Sequence, residues 1–155
     1  MADNSSLRDA LDAAYHYISY RPRSEAEIRQ WLHRRGFAEE VARKTLAKLS
    51  EQNLSDDFAF AQFWKDNRLS FRPKSKRLIE KELRDKKVSA EIIEEVTQDM
   101  DDEQIAYKLG SSRMHVLAEL EYPEFYRRMS SYLAYRGFDY DIIKRTAALL
   151  WQGKE

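Results

Sequence analysis

Apolar side chains fall at Ile28, Leu32, Phe37 and Val41, in steps of four, five and four. The same steps return at Ile79, Leu83, Val88 and Ile92, and again at Met129, Leu133, Phe138 and Ile142. The copies are offset by 51 and 50 residues, so the chain repeats itself three times. A step of four keeps both residues on one helical face, and the step of five marks a turn between two helices. Gly36 and Gly137 stand where the first of those helices must end, because glycine enters the left-handed region without a Cβ penalty. Phe37 and Phe138, just beyond, can fold back as the apolar contact of that cap. Ser89 and Asp139 are N-cap residues for the helix that follows. Ser24-Glu25-Ala26-Glu27 has the form of a capping box.

Proline fixes the other boundary. Pro22, Pro73 and Pro123 each lie six residues before the first apolar position of a copy. Proline cannot sit inside a helix, so each separates a preceding helix from the pair just described. The pattern predicts helices over 6–19, 24–35, 39–50, 55–69, 75–86, 90–98, 102–118, 124–136 and 140–151, and no segment of period two reads as a strand. The expected fold is all-α: three tandem three-helix repeats, at 1–53, 54–100 and 101–155. Units of about 50 residues are marginal alone, so stacked repeats forming an elongated, curved helical body are expected.

Composition fits this reading. Four glycines and three prolines in 155 residues are too few for a sandwich or barrel. Nine Tyr, seven Phe and three Trp argue against a disordered chain. No apolar run reaches membrane-spanning length, so no membrane partner is expected. Met1–Ala10 is polar, so no cleaved secretory signal is expected. The chain is read as cytoplasmic and monomeric.

The 27 basic and 27 acidic residues cancel, but unevenly. Residues 54–87 carry ten basic and six acidic side chains, whereas residues 88–125 carry two and ten. Segregation of this kind points to a partner surface of mixed sign rather than plain nucleic-acid coating.

Most arrangements that resemble chemistry dissolve on inspection. His16, His33 and His115 stand apart and there is no Cys, so no metal is expected. Asp56-Asp57 is read as a helix start, where carboxylates complement the dipole, and not as a catalytic pair. The run Asp99, Asp101, Asp102, Glu103 lacks the glycine and ligand alternation of a calcium loop and reads as a linker and helix start. No phosphate-cradling loop and no nucleophile elbow are present. No catalytic residue, no cofactor and no enzymatic activity are therefore expected. Trp31, Trp64 and Trp151, with Phe58, Phe60 and Phe63, are read as core.

The candidate binding residues are cations around the repeat turns. Arg21 and Arg23 flank Pro22, and Arg72 and Lys74 flank Pro73. Arg34, Arg35, Lys86, Lys87 and Arg136 sit at the next turn of each copy, and Arg68, Lys76 and Arg77 lie in the densest basic stretch. Equivalent positions in a repeat project in rows, which suits an extended, periodic, anionic partner.

These stretches resemble the RecX family of regulatory proteins. The resemblance is carried by Tyr20 to Glu25, Leu32, Arg35-Gly36-Phe37, and Leu54 to Asp57 with Phe60-Ala61 and Asn67-Arg68. It continues through Ile79 to Leu83, Lys86-Lys87-Val88, Tyr132-Leu133 and Arg136-Gly137-Phe138, and covers residues 8–150. The resemblance implies tandem three-helix repeats, no cofactor, and binding in the groove of a RecA–DNA filament. Its implied effect is inhibition of ATP hydrolysis and strand exchange, modulating DNA repair and recombination. The family often has glycine where this chain has Ser75 and Lys87, and the third copy lacks the basic proline motif. The alternative reading is a helical module that binds single- or double-stranded DNA directly, with no recombinase partner. The acidic segment 88–125 weighs against that alternative.

Overall fold

Caps and turns set where the helices begin and end. A computed structural model describes residues 4–154; the first residues of the polar stretch Met1–Ala10 and the C-terminal Glu155 lie outside the described residues. Helices α1(Asn4–Tyr20), α2(Glu25–Arg34) and α3(Glu39–Glu51) form the first repeat. Helices α4(Asp57–Phe71), α5(Lys76–Asp85) and α6(Ala90–Thr97) form the second. The third comprises α7(Asp102–Leu117), α8(Tyr122–Tyr135) and α9(Tyr140–Gln152). No strand occurs among the described residues. Pro22 and Pro73 lie between helices as expected, but Pro123 stands in the first turn of α8. The first turn tolerates proline because its N–H has no intrahelical partner there.

The middle helix of each repeat ends the same way. The Phe37 N–H donates to the Leu32 carbonyl and the Gly36 N–H to that of His33. Val88 and Lys87 repeat this with Leu83 and Arg84, as do Phe138 and Gly137 with Leu133 and Ala134. This paired closure is the Schellman motif, and it needs a left-handed residue. Gly36 and Gly137 supply it at φ 92° and 93°, and Lys87 supplies it at 64° despite its side chain. A fourth such closure, at Asn53 with φ 58°, ends α3. At the opposite ends, Ser24 and Glu27 complete the capping box, and the Asp139 carboxylate accepts from the Ile142 N–H at 2.9 Å.

Each outer repeat buries one stripe of each helix. Ala10, Ala14, Ile28, Leu32, Val41, Ala42, Leu46 and Leu49 form one core, and Phe37 packs against it. Ala106, Leu109, Phe125, Met129, Leu133, Phe138, Ile143, Ala147 and Leu150 contribute to the other. In the last position of the pattern, Ile93 and Ile143 are buried while their neighbours Ile92 and Ile142 are half-buried. The chain forms two compact units that divide the middle repeat. One runs to Trp64 and adds Leu83–Val96; the other takes Lys65–Glu82 and continues from Thr97.

The two aspartate pairs act as joints. Asp56 caps α4 through the Phe58 N–H, and Asp101 caps α7 through the Glu103 N–H. The second aspartate reaches back to the preceding repeat. The Asp57 carboxylate accepts from the Glu25 N–H at 2.8 Å, and that of Asp102 accepts from the Lys76 N–H at 2.9 Å. Partial burial raises the pKa of both carboxyls, opposed by these amide bonds.

Candidate functional site

The first unit carries a groove of about 840 Å³ lined by α2 and the turn after α5. Helix α2 contributes Ala26, Glu27, Arg29, Gln30, His33 and Arg34. Spacings of three and four put these residues on one side of the helix. The turn contributes Asp85, Lys86 and Lys87. The left-handed backbone of Lys87 makes the Schellman turn that presents these residues.

One buried carboxylate organises the groove's floor. Glu27 is only 8% exposed. Its oxygens accept from the Ser24 N–H at 3.1 Å, from the Arg21 guanidinium at 2.7 and 3.3 Å, and from Lys86 Nζ at 3.3 Å. Burial raises its pKa, but the hydrogen bonds from Arg21 and Ser24 and the charges of Arg21 and Lys86 outweigh it, and the net shift is downward. Arg21 and Lys86 also lie over aromatic rings. Arg21 is 5.8 Å from Phe60 and 5.7 Å from Trp64, and Lys86 is 5.3 Å from Trp64. Both cations are thus held against Glu27 and the rings.

The other predicted cations of this unit differ in availability. Arg23 donates to the Tyr17 carbonyl at 3.1 Å and lies 3.8 Å over that ring. Tyr17 stacks on Trp31 at 4.4 Å, and Arg35 lies 5.0 Å over Trp31. A cation held over a ring gains about 0.5–1 kcal/mol at an exposed site, yet keeps its N–H donors for a partner. Arg34 and Lys87 are exposed and carry no ion pair among the described residues. The structure therefore brings Arg34, Lys86 and Lys87 together, with Arg34 and Lys87 carrying the available charge. Arg29 and His33, beside Glu39, join them; helical spacing along α2 was the signal that could have found both.

In the second unit most of the predicted cations are engaged. Arg68 and Lys74 share Glu82, at 2.8 and 3.5 Å. Arg77 donates to the Gly137 carbonyl at 3.2 Å. Lys76 gives its backbone amide to Asp102. Arg136 lies 4.1 Å over Tyr132, and its carbonyl accepts from the Ser75 N–H. Arg72 is exposed. Of the aromatics, Phe60 is wholly buried, while Trp31, Trp64 and Trp151 are half-buried and Phe58 is exposed.

Among the described residues the chain is all-helical, built of tandem three-helix repeats, and its first unit carries a cationic groove. Family models for RecX match it three times: the first three-helix domain at residues 10–49, the second at 56–96 and the third at 101–146. The regulatory protein RecX of Prosthecochloris aestuarii is 32% identical over 144 residues, covering 92% of this chain and 94% of its own. That of Chlorobium phaeobacteroides is 34% identical over 148 residues, covering 94% and 95%. The crystal structure of RecX from Lactobacillus salivarius has the same fold, with a TM-score of 0.79 over 94% of this chain and 97% of the other, at 21% identity. The chain belongs to the RecX family of regulatory proteins.

Proposed function

We propose that this protein docks on a RecA-type recombinase assembled on DNA and inhibits its ATP hydrolysis and strand exchange, thereby modulating DNA repair and recombination. The observation that carries this reading is the groove of the first unit, in a chain matching RecX domains along nearly its whole length. There Arg34 and Lys87 stand unengaged above the Glu27 network, set to pair with carboxylates or phosphates of a partner. The protein acts as a cytoplasmic monomer, with no cofactor and no reaction of its own. Its three domains, divided after residues 53 and 100, add weak contacts on a periodic partner, and effective concentration multiplies them.

The test is a titration of the intact protein into a recombinase–single-stranded-DNA ATPase assay. The native sequence should suppress hydrolysis at micromolar protein. Arg34→Ala with Lys87→Ala should raise the half-inhibiting concentration about tenfold, or ~1.4 kcal/mol. Hydrolysis unchanged by the native protein would remove the proposal.

A further inference from the structure

We propose that the third repeat holds a separate site for single-stranded nucleic acid, in the groove where Arg113, Arg127, Arg128 and Arg136 surround Tyr132 and Tyr135. This inference does not rest on the recombinase reading above.

The groove measures about 400 Å³ and lies between α7 and α8. Arg128, Tyr132 and Tyr135 are spaced by four and three along α8 and share one face. Arg113 comes from α7, with Val116 and Leu117 as an apolar floor. The guanidiniums are already ordered. Arg113 lies 4.9 Å and Arg136 4.1 Å from the Tyr132 ring centre. Arg127 and Arg128 both donate to Glu124, at 2.6 and 2.8 Å, and hold its carboxyl down to about 2. No carboxylate lines the groove itself. Four guanidiniums and no lining carboxylate leave the groove cationic.

Linear charge hid this site. Arg113 belongs to the acidic segment 88–125, whose balance weighed against nucleic acid. In the fold it lines one groove with Arg127, Arg128 and Arg136. Within that segment Glu103 pairs with Arg145.

The aromatic component selects the ligand. Tyr135 is 85% exposed at the rim, an open ring beside the cations. Phosphodiesters need positive charge, and an unpaired base needs a face to stack on; this groove offers both. A duplex keeps its bases inside the stack and would leave Tyr135 unused. An acidic peptide would use the guanidiniums and also leave Tyr135 idle.

The experiment measures fluorescence anisotropy of labelled oligothymidylate with the intact protein across a salt series, beginning at low salt. Tyr135→Ala should weaken single-strand binding about five- to tenfold, and Tyr135→Phe should restore it. Duplex binding should not respond to either change. Arg113→Ala with Arg128→Ala should flatten the log–log salt slope by roughly 1.4, about 0.7 for each lost charge on a single strand. Circular dichroism confirms that the variants stay helical. Three outcomes would overturn the site. One is single-strand affinity indifferent to Tyr135 and to both arginines. Another is affinity lost only in the Arg34→Ala, Lys87→Ala protein. The third is capture of a labelled poly-glutamate peptide where oligothymidylate fails to bind.

Discussion

Gly36 and Gly137 occupy the same place in the first and third repeats, with the same dihedral and the same pair of closing hydrogen bonds. Their surroundings differ. A Cβ on Gly36 would meet nothing within 4 Å. A Cβ on Gly137 would lie 2.4 Å from both Leu78 Cγ and Ser75 Oγ. The first glycine is needed for its backbone alone; the second also lets α5 press against the turn. The middle repeat completes the series, because Lys87 takes the left-handed conformation with a side chain attached. Repetition has thus conserved a backbone geometry here while each copy uses the resulting corner differently. In the third repeat it is a packing surface, and in the second it is a wall of the cationic groove.

The largest expected effect separates the two glycines. Gly137→Ala adds overpacking to left-handed strain and should cost about 3 kcal/mol or more. Gly36→Ala carries the strain only and should cost about 1 kcal/mol. Chemical denaturation measures both, and equal losses would break the distinction. Lys87→Gly sharpens the comparison in the opposite direction. Relieving the strain should stabilise the fold by about 0.5–1 kcal/mol. The same change removes a groove cation and should weaken recombinase inhibition roughly threefold. A variant both more stable and equally inhibitory would take Lys87 out of the binding surface.

The smallest effect concerns the joints, which are alike where the glycine corners are not. Asp57 has a raised pKa in the folded protein, so its ionised form is disfavoured there relative to the unfolded chain. That cost is fully present above the raised value and is relieved as pH falls through it. Asp57→Asn keeps an oxygen to accept the Glu25 N–H and should raise the melting temperature slightly at neutral pH, an advantage that vanishes in acid. Glu27 behaves in the opposite sense. Its stabilisation is present above the ordinary carboxylate range and is lost as pH falls through its lowered folded pKa. A melting-temperature series across pH resolves the two directions.

Helix positions were legible because their causes are local. Four-residue steps, Ser24, Gly36, Asp139 and two of the prolines act within a turn or two of themselves, and the predicted ends fall within two residues of the observed ones. The Asp56-Asp57 helix start was legible for the same reason; the reach of Asp57 back to Glu25 was not. Availability of charge was illegible because it depends on distant partners. Lys86 and Glu27 are 59 residues apart, and Arg77 and Gly137 are 60 apart. One equivalent position shows how much turns on such contacts. Trp31 and Tyr132 let Arg35 and Arg136 lie over a ring, whereas Glu82 at the corresponding place in the middle repeat draws in Arg68 and Lys74. Within the densest basic stretch, Arg68 and Lys74 are therefore tied to Glu82 while Lys87 stays exposed.

The backward reach of the joints also gives synthesis a direction. The Glu25 amide waits 32 residues for Asp57, and the Lys76 amide waits 26 for Asp102. A nascent chain can therefore make this first-turn hydrogen bond of the second helix only when the opening residues of the next repeat have been synthesised.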